Sequence, residues 1–138
     1  MLNKKIALFL TVSMVALTVA ACDSSGDASV TGDVTYILRI ALPPDAVVTV
    51  QIQDISKADA QAEVIGEQII QTDGKQVPIP FEVAYDPKDF DERFTYSIFA
   101  KITDGEGKLL FITDTVIPVI TKGNPTSDVE VMVVQVGG

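Results

Sequence analysis

From Asp33 onward, apolar and polar side chains alternate with a period of two, the repeat of a strand with one buried face. Val34, Tyr36, Leu38, Ile40 and Leu42 share one face opposite Thr35 and Arg39. Pro43-Pro44-Asp45 ends that run, because proline has no amide to donate to a ladder. A second strand sets Val48, Val50 and Ile52 against Thr49, Gln51 and Gln53, and Ser56 to Gln61 is a polar connection. Val64 to Gln71 forms a third apolar run, closed by a tight turn at Thr72-Asp73-Gly74-Lys75.

Val77, Ile79, Phe81, Val83 and Tyr85 alternate cleanly in spite of Pro78 and Pro80. Two prolines in one strand predict a sheet edge, where missing donors cost little. Phe94, Tyr96, Ile98, Ala100 and Ile102 make a fifth strand, and Asp104 to Lys108 a hairpin loop into Leu109 and Phe111. Val116 to Ile120 continues or restarts that strand around Pro118, and Val129 to Val136 is the last run. No helix of three turns is predicted. The expected fold class is all-β: an antiparallel β-sandwich of seven to eight short strands, immunoglobulin- or transthyretin-like in architecture alone. A small closed barrel is the alternative.

The first 21 residues follow another rule. Lys4 and Lys5 precede an uncharged, mostly apolar stretch from Ile6 to Ala21, too short for a comfortable permanent span and ending in small residues. Leu17-Thr18-Val19-Ala20-Ala21-Cys22 resembles the lipobox of bacterial lipoproteins. Residues 1–21 are therefore expected to be a cleaved signal, with the junction between Ala21 and Cys22. Cys22, the only cysteine, would carry diacylglycerol and an acyl chain; no other cofactor is expected. Residues 22–32, small and polar after Cys22, are expected to be a flexible tether, and 33–138 the sandwich domain. Asp23 after the cysteine resembles an inner-membrane retention signal, while Ser24 departs from it, so the membrane stays open.

Charge narrows the partners. After Cys22 the chain carries 8 Lys and Arg against 19 Asp and Glu, a balance of −11. Such a surface repels nucleic-acid phosphates and anionic head groups, so nucleic acid is excluded as a partner and membrane contact falls to the lipid anchor.

Candidate chemistry is sparse. With no histidine and with Cys22 assigned to lipid, the usual general base, nucleophile activator and soft metal ligands are missing. The densest acidic cluster, Asp86, Asp89, Asp91 and Glu92, lacks the spacing and central glycine of an EF-hand loop, and reads as calcium site or solvated loop. Asp114 sits in the strand-like run Phe111 to Val116; half buried there, it would either contact a partner strand or bond to neighbouring threonines. No catalytic signature is found, and the chain is expected not to be an enzyme.

Several blocks carry a family resemblance: Leu42-Pro43-Pro44-Asp45 through Asp54, Glu67-Gln68, Gln76 through Glu82, Tyr85-Asp86-Pro87, Tyr96-Ser97-Ile98 and Leu109 through Thr115. In their order and spacing the chain resembles the YbaY-like lipoproteins, a family also described through the YscW-type pilotins of type III secretion. The resemblance implies a compact β-sandwich lipoprotein facing the periplasm, with no catalytic residues. Its pilotin branch binds a secretin subunit and helps it assemble. Three readings follow: an envelope protein acting through protein contacts, a pilotin-like secretin chaperone, and a small-ligand or glycan-binding lipoprotein.

Overall fold

The computed structural model describes residues 28–137. The expected signal and Cys22 lie outside those residues. Nine strands are described: β1 (Ala28–Thr35), β2 (Val47–Asp54), β3 (Glu63–Gln71), β4 (Ile79–Tyr85), β5 (Tyr96–Thr103), β6 (Leu109–Ile112), β7 (Pro118–Val119), β8 (Val129–Met132) and β9 (Val134–Gln135). A single 3₁₀ turn, Pro87–Asp89, interrupts them.

The strands form two sheets. One has the order β4-β1-β8; the other has the order β3-β2-β5-β6-β9, with β7 also paired to β5. Their inward residues make one core. Val30 and Val34 of β1, Ile79, Phe81 and Val83 of β4 and Val129 and Val131 of β8 meet Val48, Val50 and Ile52 of β2, Ile98, Ala100 and Ile102 of β5, and Phe111 of β6. Each large side chain so buried stabilises the fold by about 1.5–3 kcal/mol. The all-β sandwich expected from period-two patterning is the fold observed.

The two sheets also approach along their sides. Gln68 of β3 accepts the Glu82 amide of β4 through its side-chain oxygen at 2.7 Å. A Cβ on Gly66 would stand 2.7 Å from the Ala84 carbonyl oxygen. One side chain, not a main-chain ladder, bridges this seam, so the sheets remain distinct. Because the Glu82 N–H points away from β1, the same-parity residues Pro80 and Pro78 lack only outward-facing donors. β4 is accordingly an edge strand, as its prolines predict.

Four expectations are corrected. The tether expected over 22–32 is strand from Ala28 on, and β1 ends at Thr35, not Leu42. Small polar residues hide this strand in the sequence, yet β4 pairs it from Ala28↔Tyr85 to Val34↔Ile79, and Val30 is fully buried. Past Thr35 no neighbour continues the ladder, and Ile37 to Ala41 stand exposed. Secondly, β1 pairs with β8 in parallel, so the sandwich is not wholly antiparallel. Thirdly, the run from Val129 to Val136 is not one strand: it crosses from one sheet to the other at buried Val133. Finally, the restart expected over Val116 to Ile120 is a two-residue strand, Pro118–Val119.

Candidate partner-docking groove

The crossing at Val133 creates an apolar concavity. β9 pairs with β6 in the register Ile112↔Val134 and Phe111↔Gln135, and Val136 donates its amide to Leu110 O at 2.9 Å. The amides of Val134 and Val136 therefore face β6, and those of Val133 and Gln135 face outward. The Val133 amide is taken by Thr35 O at 2.9 Å. Continuing the parallel ladder would bring Ile37 O to the Gln135 amide. Instead, the chain peels away after Tyr36, leaving a wedge between residues 36–38 and β9.

Tyr36 fixes this departure. Its ring is buried and stacked on Phe111, and its hydroxyl donates to Ile40 O at 2.6 Å. Farther on, the Gln76 side chain accepts the Leu42 amide at 2.6 Å and donates to Leu42 O at 3.2 Å, standing in for a strand partner. Residues 37–41 are thus an arm pinned at both ends. Beside it lies a groove of about 260 Å³ lined by Tyr36, Ile37, Leu38, Met132, Val133, Val134 and Gln135. No charged residue lines it. Ile37 is 82% exposed, and Leu38, Ile40, Val134 and Val136 are also exposed. Apolar side chains gathered on an open sheet edge mark an interaction surface. The sequence carried one signal of it: Tyr36, Ile37 and Leu38 are apolar at both parities, which a strand with one buried face does not need.

A second concavity, a cleft of about 570 Å³ lined by Tyr85, Pro87, Phe90, Glu92, Ile120, Thr121, Lys122 and Gly123, sits at the end where β1 begins. Phe90 plugs that end, with its ring centroid 4.6 Å from Tyr85 and 4.4 Å from Tyr96. Ile120 has φ +74°, and the Thr121 amide bonds back to Val119 O, a strained γ-turn for a β-branched residue.

The acidic loop is largely engaged with itself. Asp86 accepts the Lys88 amide, and Asp91 takes both the amide and the guanidinium of Arg93. The Arg93 hydrogen bonds hold the Asp91 carboxyl down at about 2. Among the described residues, no group of three or more His, Cys, Asp or Glu is placed to hold a metal ion. Asp114 is exposed past the end of β6, correcting the half-buried position expected for it, because the strand stops at Ile112. Cys22 and the Ala21 junction lie outside the described residues.

Comparison with known proteins places this geometry in a family. The family model for the type III secretion system lipoprotein chaperone (YscW) matches residues 25–131. The chain is 41% identical over 107 residues to the uncharacterized lipoprotein YbaY of Escherichia coli (strain K12), a match covering 78% of this chain and 56% of that protein. The chain thus spans little more than half the length of that relative. Among solved structures it is similar to an alternative pilotin from the type II secretion system of Vibrio cholerae, with a TM-score of 0.76 and 47% identity over 81% of this chain and 99% of the other. The chain belongs to the YscW family of secretion-system lipoprotein chaperones, to which the YbaY-like lipoproteins are related.

Proposed function

We propose that this is a non-enzymatic lipoprotein of the bacterial envelope, anchored through lipid on Cys22 and facing the periplasm, that holds a partner protein in the groove between the arm and β9. The observation that carries this reading is the exposed, charge-free groove on an open sheet edge. Its position supports the reading. β1 enters at Ala28 and runs about 23 Å to Thr35, so a leader joined at Ala28 and the groove stand at opposite ends of the strand. An anchor at one end leaves the groove turned away from the membrane. The similarity to a type II secretion pilotin favours a pilotin-like role, in which the partner is a secretin subunit.

The test is crosslinking in cells from a photoreactive amino acid at position 37, with position 92, in the opposite cleft, as control. A single envelope protein captured from 37 and not from 92, and diminished by Cys22→Ala, is the expected result. A secretin in that adduct, together with loss of secretin multimers on deletion of the gene, supports the pilotin role; unchanged multimers reject it. No adduct from position 37 above background overturns partner docking in the groove, and attention then moves to a small ligand in the cleft beside Phe90.

A further inference from the structure

The groove has the form of a missing strand. Along β8 and β9 the outward amides belong to alternate residues. Val133 has its acceptor in Thr35 O, and Gln135, the next outward residue, meets none among the described residues because the arm has diverged. The Gln135↔Phe111 pair is of the non-hydrogen-bonded kind, since Val136 already donates inward to Leu110, so both the N–H and the C=O of Gln135 face the groove. The side chains on either side of this backbone edge are apolar: Ile37 and Leu38 on the arm, Val134 and Met132 on the strand.

We infer that the occupant is an extended segment of the partner that pairs with the outward edge of β9 at Gln135. It takes the place that residues 37–41 would have filled had β1 continued. This rests on the docking reading above and adds the partner's chemistry. Strand addition obtains affinity from main-chain bonds and specificity from alternate side chains. One face of the added strand turns into the groove against Ile37 and Leu38, so alternate residues of the occupant are apolar. Charge completes the description. The lining is uncharged and Arg39 is the one cation on the arm, but the chain after Cys22 carries −11, so the long-range field of the domain favours an occupant whose apolar segment is flanked by Lys or Arg. The chain's own tether does not fill the role: residues 22–27 join at the opposite end of β1 and reach at most about 20 Å.

The experiment uses the lipidated full-length protein in detergent micelles and a labelled peptide of alternating valine and threonine with lysine at both ends. Binding read by fluorescence anisotropy should weaken with salt, and by about tenfold when the lysines become glutamates or when alternate amides along one edge of the peptide are N-methylated. Gln135→Pro removes only an outward donor and should abolish binding while leaving the melting temperature unchanged; Gln135→Ala should bind as the parent does. Should Gln135→Pro fail to fold, amide exchange of the parent decides, with Gln135 expected to become protected on binding. Equal binding by the proline variant, insensitivity to N-methylation on either edge, or no change at the Gln135 amide overturns strand addition. If position 37 still captures a partner in cells when these tests fail, groove docking stands and the occupant is not a strand.

Discussion

Tyr36 lies flat on Phe111, ring centroids 4.3 Å apart and planes within 5° of each other. Phe111 belongs to β6 in one sheet and Tyr36 directly follows β1 in the other, so this contact ties the two sheets together beneath the groove. Its hydroxyl bond to Ile40 O also sets the path of the arm.

Tyr36→Phe keeps the stack and removes one hydrogen bond. The expected cost is about 1 kcal/mol in denaturant unfolding, with faster amide exchange confined to the arm. Tyr36→Ala removes the stack as well and should cost about 3–5 kcal/mol. Equal losses for the two variants would show that the ring contributes little beyond its hydroxyl.

Stability should fall at alkaline pH. Burial pushes the Tyr36 and Tyr85 hydroxyls above their ordinary value of 10.0, since the charged form is poorly solvated there. Unfolded, both lose their protons near pH 10; folded, they keep them to higher pH. Their contribution is complete below pH 10 and is lost as pH rises through the folded values. Thermal melts from pH 8 to 11 should show this decline, and Tyr36→Phe should reduce its slope. At the acid end the sign reverses: what Asp91 contributes is present above 3.8 and disappears as pH falls through about 2.

Gly32 lets β8 approach β1. A Cβ there would stand 1.9 Å from the Val129 carbonyl oxygen, and the contact is backbone, which has no rotamer to yield. Gly32→Ala should destabilise by about 2–4 kcal/mol and loosen the parallel pair Gly32↔Val129, read as lost amide protection in β8. Val134 and Val136, whose amides face β6, should lose protection with it, because β9 follows β8 after a single residue.

Gln76 holds the Leu42 backbone from both sides. Gln76→Ala leaves both backbone groups without their protein partner and should cost about 1–2 kcal/mol. The effect on partner capture from position 37 should exceed the effect on global stability, since the far anchor of the arm is released. An unchanged crosslinking yield would show that Tyr36 alone positions the arm.

Within the described residues, the sequence by itself determined those parts of the fold that local chemistry decides. β2 and β5 are legible because Val48, Val50 and Ile52, or Ile98, Ala100 and Ile102, must turn to one side, and the turns at Asp73-Gly74 and Asp104 to Lys108 separate the strands. Pro78 and Pro80 announced the edge position of β4, because only an outward-facing backbone spares the missing donors. The export signal and the lipid on Cys22 remain readings of sequence alone. Only the tertiary structure decided which strands become neighbours. Ala28 to Gly32 looks like tether, as small polar residues do, but β4 pairs it along its whole length and β8 joins from Gly32 on. Tyr36, Leu38, Ile40 and Leu42 recur at strand spacing, yet residues 37–41 are not a strand, because no neighbour meets them past Thr35. The groove follows from the same cause. Periodicity reports which face of a segment is buried, whereas an open edge depends on a pairing made, or left unmade, by residues about a hundred positions away along the chain.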